Sequence, residues 1–233
     1  MALAIFDLDN TLLAGDSDYL WGQYLVEQGI VDADQYEAAN LRFYEDYKAG
    51  TLDIDAFLKF ALKPLSLHSR EQLEAWRSQF IERLIRPILL PAAHAVIEAH
   101  AKCGDTLMII TATNAFVTRP IADLYGIEHL IATHPEIKNE QYTGNYVGIP
   151  CFQEGKVKQL DAWLNSTGAS LEGSWFYSDS HNDLPLLNKV THPVAVDPDE
   201  TLSRHAEAAS WTILSLRSLD GISQQLELIS RDR

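Results

Sequence analysis

Short apolar runs alternate with amphipathic stretches along most of the chain. The runs have the length and composition typical of buried strands: residues 3–6, 106–110, 130–132, 175–178 and 194–196. The stretches with helical spacing or helix-ending residues between them are residues 91–103, 114–125 and 155–165. Because strands that alternate with helices favour right-handed crossovers, this pattern predicts an α/β fold whose parallel sheet is covered by helices on both faces. Residues 134–150 predict a small hairpin, and residues 216–233 predict a terminal helix with a frayed tail.

One long segment contains no strand-like run. From about residue 16 to residue 86 the chain is rich in Leu, Ala, Glu, Gln, Tyr and Trp, and its apolar residues recur at helical spacing. Gly29 and Gly50 are typical helix ends within it. The pattern indicates a small helical bundle inserted after the first strand. It predicts a helical cap domain formed by residues 15–86 and a core formed by residues 1–14 and 87–233.

Composition argues against several classes of function. The chain has 233 residues with 18 Lys and Arg against 33 Asp and Glu, and its net charge of -15 opposes binding to nucleic acid or to an anionic membrane. Cys103 and Cys151 lack metal-binding spacing, so we expect no zinc site and no disulfide framework. Asp7 interrupts the first apolar run before a signal-peptide core could form, and no apolar stretch approaches the length of a membrane span. We therefore expect a cytoplasmic protein with no obligate protein partner.

Polar side chains follow three of the predicted strands directly. Asp7 and Asp9 follow the first strand, Thr111 follows the run at 106–110, and Asp179 follows the run at 175–178. Side chains two residues apart in an extended segment project to the same side, and two carboxylates held that close call for a cation or a shared proton. The carboxyl ends of parallel strands line the ligand crevice, so we expect these groups to converge. Each group also has a structural alternative, as a turn residue or as the end of a strand.

A positive charge is needed if this site handles a phosphoryl group, because the non-bridging oxygens must be neutralised. Lys156 and Lys158 lie at the start of a predicted helix and can supply it, although Lys158 also fits a solvated helix charge. Asp183 lies in the acidic turn after residue 179. It is expected either to orient the lysine or to cap the following helix.

These segments resemble, in order, the four motifs of the haloacid dehalogenase superfamily. The segments are Asp7-x-Asp9-x-Thr11, Leu107-Met108-Ile109-Ile110-Thr111, Lys156 and Asp179-Ser180-His181-Asn182-Asp183. The inserted helical segment resembles the C1-type cap of subclass IB, the subgroup that contains the phosphoserine phosphatases. Residues 111–116 and 155–157 are similar to a bacterial branch that includes histidinol-phosphate phosphatases. The resemblance spans nearly the whole chain and implies a Rossmann-like catalytic core.

The resemblance implies a magnesium-dependent phosphomonoesterase. Asp7 is the implied nucleophile that forms an aspartyl-phosphate, and Asp9 is the implied general acid and base. The implied ligands of Mg²⁺ are the side chains of Asp7 and Asp179 and the backbone carbonyl of Asp9. Thr111 and Lys156 are implied to contact the phosphoryl oxygens.

Two further residues of the fourth motif are expected to support this site. Asp183 is expected to orient Lys156 or a metal-bound water, with Asn182 beside it. His181 is expected to line the pocket, since the neighbouring acids already fill the roles of general acid and base.

Substrate-reading residues are expected in the insertion and after the second motif. Asp16 occupies the position at which phosphoserine phosphatases read the amino group of their substrate, and Asp18 adds a second acid. The alternative is that Asp16 or Ser17 caps the first inserted helix. Ala112 and Asn114 are also expected to contact the substrate.

The window at 58–61 lacks the arginine with which that family reads a carboxylate. An amine-bearing phosphomonoester without a carboxylate, such as histidinol phosphate, is therefore the expected substrate, with phosphoserine or a broad range of small metabolites as the alternative. Trp21 and Tyr24 fit the core of the bundle better than a substrate contact. Two other classes stay open: a non-hydrolytic phospho-acceptor, against which Asp9 argues, and a metal-dependent nucleotide-sugar transferase, which does not predict Lys156.

Overall fold

The structure is a computed structural model that describes residues 2–231. The strands in this part of the chain are β1 (Leu3–Phe6), β2 (Thr106–Ile110), β3 (His129–Ile131), β4 (His134–Lys138), β5 (Gln141–Val147), β6 (Trp175–Ser178), β7 (His192–Val196) and β8 (Thr212–Leu214). The α-helices are α1 (Ser17–Glu27), α2 (Ala33–Lys48), α3 (Ile54–Leu62), α4 (Arg70–Phe80), α5 (Pro91–Lys102), α6 (Ala115–Leu124), α7 (Glu154–Thr167), α8 (Leu184–Leu187), α9 (Glu200–Ala209) and α10 (Ser223–Arg231). None of these helices is long and apolar enough to cross a membrane.

Six parallel strands form the central sheet, in the order β3-β2-β1-β6-β7-β8. The chain builds β2 and β3 on one side of β1 and later adds β6, β7 and β8 on the other side. β4 and β5 form a separate antiparallel hairpin, as the polar stretch predicts. β1 is therefore a central strand with a parallel neighbour on each side.

Alternate residues of β1 face two different apolar layers. Ala4 and Phe6 pack in a cluster that includes residues of α5, α6 and α10. Leu3 and Ile5 pack in a second cluster with residues of α7, α8 and α9. A strand that is buried on both faces reads as a continuous apolar run, which explains the composition of residues 3–6. The α/β fold with helices on both faces of a parallel sheet is thus confirmed.

The helices α1 to α4 lie between β1 and β2 in the chain and form the predicted helical insertion. The side chains that cap their N-termini are Asp16, Asp32, Asp53 and Ser69. An isolated antiparallel bridge between Leu13 and Leu89 brings together the chain segments that enter and leave the insertion. The division into domains at residues 15 and 86 stays a prediction.

The C-terminal third of the chain differs from the sequence prediction. α9 and β8 were not predicted, because their apolar residues are few and β8 is only three residues long. α10 begins at Ser223 rather than near residue 216, because residues 215–222 form a bend in which Leu216 N donates to the Asp197 carboxylate at 3.1 Å. The predicted frayed tail falls partly on residues 232–233, which lie outside the described residues.

Candidate active site

Three neighbouring strands carry polar side chains to one edge of the sheet. β1 pairs in parallel with both β2 and β6. Asp7, Thr111 and Asp179 directly follow these strands, and Asp7 and Thr111 are almost fully buried. The structure therefore brings these residues together at the carboxyl edge, around β1. Strands that follow β1 in the chain are added first on one side of it (β2, β3) and then on the other (β6, β7, β8).

Lys156 reaches this edge from the first turn of α7. Its Nζ lies 2.9 Å from Asp7 Oδ1 and 2.8 Å from the Asp183 carboxylate. Burial by itself would lower the pKa of the Lys156 ammonium, but the charges of Asp183 and Asp7 outweigh burial, so its pKa is raised. Lys158, by contrast, is exposed. Of the two lysines, the one whose ammonium group lies in the site is Lys156.

A glycine makes this position of Lys156 possible. A Cβ atom on Gly155 would lie 1.9 Å from the carbonyl oxygen of Pro150, a distance that no side chain tolerates. With glycine there, Gly155 N donates to Phe152 O at 2.7 Å and the turn closes tightly. α7 consequently begins close to the sheet edge, and the Lys156 side chain is directed inward.

Asp183 is the second carboxylate in contact with the Lys156 ammonium group. It is buried, and it accepts a hydrogen bond from Ser178 Oγ at 2.7 Å in addition to its contact with Lys156. Asp183 occupies the N-cap position of α8, but its side chain makes no capping hydrogen bond there.

The two residues before Asp183 contact other parts of the molecule. Asn182 Nδ2 donates to the carbonyl oxygen of Tyr47 in the insertion at 3.0 Å, and its Oδ1 accepts from Gln153 Nε2 at 2.9 Å. The backbone nitrogen of His181 donates to the Asp199 carboxylate at 2.6 Å, and its Nδ1 lies 2.8 Å from the same oxygen. These contacts fix the loop of the fourth motif from both sides.

Both carboxylate oxygens of Asp9 are held. Ser17 N donates to Oδ1 at 2.6 Å and Thr113 Oγ1 donates to Oδ2 at 2.8 Å. Burial, followed by the charge of Asp16, raises the pKa of Asp9 to about 7. Thr113 and Ser17 were not predicted as partners of Asp9. The signal for Thr113 was a second hydroxyl two residues after Thr111, in the bend that follows β2.

Carboxylates crowd the centre of the site. Thr11 Oγ1 donates to Asp179 Oδ1 at 2.9 Å and accepts from Asp179 N at 3.0 Å, which fixes Asp179 beside the loop of the first motif. Burial and then the charge of Asp7 raise the pKa of Asp179 well above its usual range. Burial raises the pKa of Asp7 to about 7, although Lys156 acts in the opposite direction.

This donor set fits a hard divalent cation. Among residues 2–231 no three His, Cys, Asp or Glu side chains are grouped closely enough to hold a metal ion by themselves. Mg²⁺ is usually held by one or two carboxylates, with water and substrate phosphate completing its coordination. Asp7 and Asp179 provide two such carboxylates whose mutual repulsion a cation would relieve.

A pocket opens at this edge, with one wall from the core and one from the insertion. The core wall includes Asp7, Asp9 and the segment Thr111, Ala112 and Thr113. The aromatic residues that line the opposite wall are Tyr19, Phe43, Tyr44, Tyr47 and Phe57. None of the described insertion residues that line the pocket is Lys or Arg. The wall from the insertion therefore combines aromatic rings with two acidic side chains, Asp16 and Asp18.

Asp16 and Asp18 both line this pocket but differ in their contacts. The Asp16 carboxylate accepts hydrogen bonds from Asp18 N at 3.0 Å and Tyr19 N at 2.8 Å, and it is the N-cap of α1. The Asp18 carboxylate accepts one long hydrogen bond, 3.4 Å from Asn114 Nδ2. Burial raises the pKa of both carboxyl groups, that of Asp18 well above its usual range. The capping alternative is thus realised by Asp16, and the reading of a substrate by either residue stays a prediction.

Trp21 and Tyr24 lie in the core of the insertion. They are 3% and 0% exposed, and their rings pack against Phe80. The aromatic residues that line the pocket on α1 and α2 include Tyr19 and Tyr44, whose rings stack with centroids 4.8 Å apart. Helical spacing alone could not separate the two faces of α1, because both carry aromatic residues.

Comparisons with known proteins agree with this geometry. Residues 4–188 match the family described as haloacid dehalogenase-like hydrolase. A histidinol-phosphatase of Neisseria meningitidis serogroup C (strain 8013) is 45% identical over 219 residues, which cover 92% of this chain and 99% of the relative. A protein of unknown function from Bordetella pertussis Tohama I has a solved structure with a TM-score of 0.87 and 42% identity, covering 92% of this chain and 98% of that one. A substrate-bound phosphoserine phosphatase superimposes with a TM-score of 0.68 at 17% identity over 97% of both chains, which shows a shared fold.

Proposed function

Because this chain belongs to the haloacid dehalogenase-like hydrolase family and is one of its phosphatases, we propose that it hydrolyses a small phosphorylated metabolite through a phosphorylated Asp7. The observation that carries this proposal is the ion pair between Lys156 Nζ and Asp7 Oδ1, 2.9 Å long, beside the pocket. An ammonium group at that place attracts the phosphoryl oxygens of a substrate to the carboxylate that attacks phosphorus.

In the first half-reaction an oxygen of the Asp7 carboxylate attacks phosphorus in line. The bond from phosphorus to the leaving oxygen breaks as the bond to Asp7 forms. Asp9 gives its proton to the leaving alkoxide. This role is supported by a pKa of about 7 and by the hydrogen bonds that orient its carboxyl group.

In the second half-reaction Asp9 takes a proton from a water molecule. The water oxygen attacks phosphorus, the bond to Asp7 breaks, and inorganic phosphate leaves. Thr111 and Lys156 donate hydrogen bonds to the non-bridging oxygens in both half-reactions, while Asp183 keeps Lys156 charged and in place.

Mg²⁺ is the cofactor that suits the donor set. Asp7 and Asp179 would hold it with carboxylate oxygens and Asp9 would add its backbone carbonyl. The bound ion would offset the charge on the phosphoryl oxygens and keep the neighbouring carboxylates ionised. The buried, mutually repelling Asp7 and Asp179 support this assignment.

Histidinol phosphate is the substrate that the pocket favours. The insertion wall combines aromatic rings with the carboxylates of Asp16 and Asp18, and it carries no described Lys or Arg. A flat, cationic leaving group without a carboxylate complements such a wall, because rings and carboxylates both attract cations. Ala112 lines the pocket, and Asn114, which is not among the lining residues, contacts the pocket acid Asp18. The histidinol-phosphatase from Neisseria meningitidis, at 45% identity, supports this choice over phosphoserine.

In this proposal residues 15–86 act as the cap over a core formed by residues 1–14 and 87–233. The cytoplasm is the proposed location, which is consistent with two unpaired cysteines, Cys103 and Cys151. A phospho-acceptor without hydrolysis would need neither an acid at Asp9 nor a pocket for a leaving group, so the observed pocket favours hydrolysis.

Phosphate release is the direct test. The purified chain with Mg²⁺ would be offered histidinol phosphate, phosphoserine, phosphoethanolamine and sugar phosphates. We expect release from histidinol phosphate with the highest kcat/KM and no requirement for an acceptor sugar. Preference for phosphoserine would contradict the substrate, and no release from any of these compounds would contradict the whole proposal.

A further inference from the structure

Gln153 has a backbone conformation that favours glycine. Its φ is 46° and its ψ is -119°, and Gly155 N donates to Phe152 O at 2.7 Å across it. These values describe the second residue of a type II′ turn, a position dominated by Gly, Asn and Asp because a Cβ atom is strained there. A glutamine at this position carries a conformational cost. Such costs persist where the surrounding structure compensates for them, and they concentrate at functional sites.

The side chain of Gln153 provides the compensating contact. Its Nε2 donates to Asn182 Oδ1 at 2.9 Å. Asn182 is only 3% exposed, so its amide needs partners on both ends. The Asn182 Nδ2 group donates to Tyr47 O at 3.0 Å. Because Gln153 occupies the Oδ1 end, the Asn182 amide is oriented with its NH₂ group toward the insertion.

Tyr47 lies in the last turn of α2 and lines the pocket. Gly50 follows shortly after it, and a Cβ atom on Gly50 would lie 2.7 Å from His181 Nε2. The end of α2 is therefore packed directly on the loop of the fourth motif. Two contacts, Asn182 to Tyr47 and Gly50 to His181, join the insertion to the core beside the phosphoryl site.

We propose that Gln153 is a positioning residue. It orients Asn182 for its hydrogen bond to Tyr47, so that the end of α2 stays docked over the site. The Gln153–Asn182–Tyr47 chain, called the latch below, links the turn that presents Lys156, the loop that carries Asp179 and the pocket wall. Only the expected effect of the latch on turnover rests on the proposed function, since docking of α2 can be measured without any substrate.

The test uses two replacements at one position. Gln153→Ala removes the latch and keeps the strained backbone, whereas Gln153→Gly removes the latch and relieves the strain. We expect Gln153→Gly to melt about 2 to 4 °C above Gln153→Ala. Both variants should nevertheless lose about tenfold in kcat/KM on histidinol phosphate, because both lack the side-chain amide.

Two more variants separate the latch from general stability. Asn182→Ala in combination with Gln153→Ala should lose no more kcat/KM than Asn182→Ala alone, because the two residues act as one unit. Ser210→Gly is the matched control. Ser210 also has a positive φ, 56°. It precedes β8 and so lies at the amino ends of the strands, away from the carboxyl edge that carries the site, and its replacement should leave turnover unchanged.

Hydrogen exchange provides a readout that does not depend on activity. Peptides that cover residues 41–50 should exchange faster in Gln153→Ala, Gln153→Gly and Asn182→Ala than in the wild type and in Ser210→Gly. The latch would be overturned if Gln153→Gly showed the exchange and turnover of the wild type. It would also be overturned if the losses of kcat/KM followed the melting temperatures of the variants rather than the absence of the Gln153 side chain. A wild type that releases no phosphate would overturn the proposed function, and the exchange data would still decide on the latch.

Discussion

The carboxyl edge of the sheet and the inserted helices form one pocket, but they are built in different ways. At the sheet edge Asp7, Thr111 and Asp179 each follow a strand directly, and their places are a consequence of the pairing of β1 with β2 and β6. In the insertion the pocket rings come from helices with apolar residues on more than one face: Tyr19 lines the pocket, whereas Trp21 lies in the core. In the proposed mechanism, the groups that contact the phosphoryl group are therefore placed by the sheet, whereas the groups proposed to select the substrate are placed by helix packing.

The largest effect should come from the sheet edge, and it should be the same for every substrate. Asp7→Asn removes the nucleophile and a proposed metal ligand together, so kcat should fall by at least about a thousandfold with both histidinol phosphate and a small aryl phosphate. The melting curve should show that the variant is folded. Wild-type turnover in Asp7→Asn, with deamidation excluded by mass spectrometry, would contradict the covalent mechanism.

Removal of metal should also affect all substrates equally. Activity should disappear after treatment with EDTA and return with Mg²⁺, whereas Ca²⁺ should restore it poorly because its larger and looser coordination disturbs in-line geometry. Phosphate release before and after readdition of each ion is the measurement. Full activity after rigorous chelation would rule out the metal assigned to Asp7 and Asp179.

A substitution in the insertion should separate substrates. Asp18 has one long hydrogen bond and Asp16 caps α1, so the two acids should behave differently. Asp18→Asn should lower kcat/KM by roughly one to three orders of magnitude for histidinol phosphate and far less for a neutral aryl phosphate. Asp16→Ala should reduce the melting temperature and affect both substrates, because losing an N-cap costs about 1 kcal/mol. Equal losses on both substrates in Asp18→Asn would end the hypothesis that Asp18 reads a cation.

The smallest effect concerns Asp199, the N-cap of α9, whose carboxylate accepts hydrogen bonds from the backbone of His181 and Leu202. Burial alone would raise the pKa of Asp199, but hydrogen bonds from His181 and Leu202 lower it below its ordinary value of 3.8. A lowered pKa in the folded state means that the carboxylate stabilises the fold above its ordinary pKa, and that this contribution is lost as pH falls through the folded value. Asp199→Ala should therefore lower the free energy of unfolding by about 1 kcal/mol at pH 7. Urea unfolding at pH 7 and pH 3 checks this, and a difference that does not shrink at pH 3 would contradict the assignment.

The convergence of polar residues at the carboxyl edge could be predicted because its determinants are local. Asp7, Thr111 and Asp179 each follow an apolar run, and parallel strands bring their carboxyl ends to one place. α9 and β8 could not be predicted in this way, because they contain little apolar periodicity. The same holds for two partners of Asp9, Thr113 and Ser17, because a hydrogen bond to Asp9 depends on where a turn and a helix N-terminus meet.

Residue spacing was enough to predict the α/β class, the position of the helical insertion and the order of the motif residues, since each is encoded along one segment. Only the packed structure shows that Asp18 contacts Asn114, which aromatic face of α1 lines the pocket, and that Gln153 contacts Asn182. The physical reason is distance along the chain. A strand end is specified by its neighbours in sequence, whereas a contact such as that between Asn182 and Tyr47, 135 residues apart, exists only once separate elements have packed.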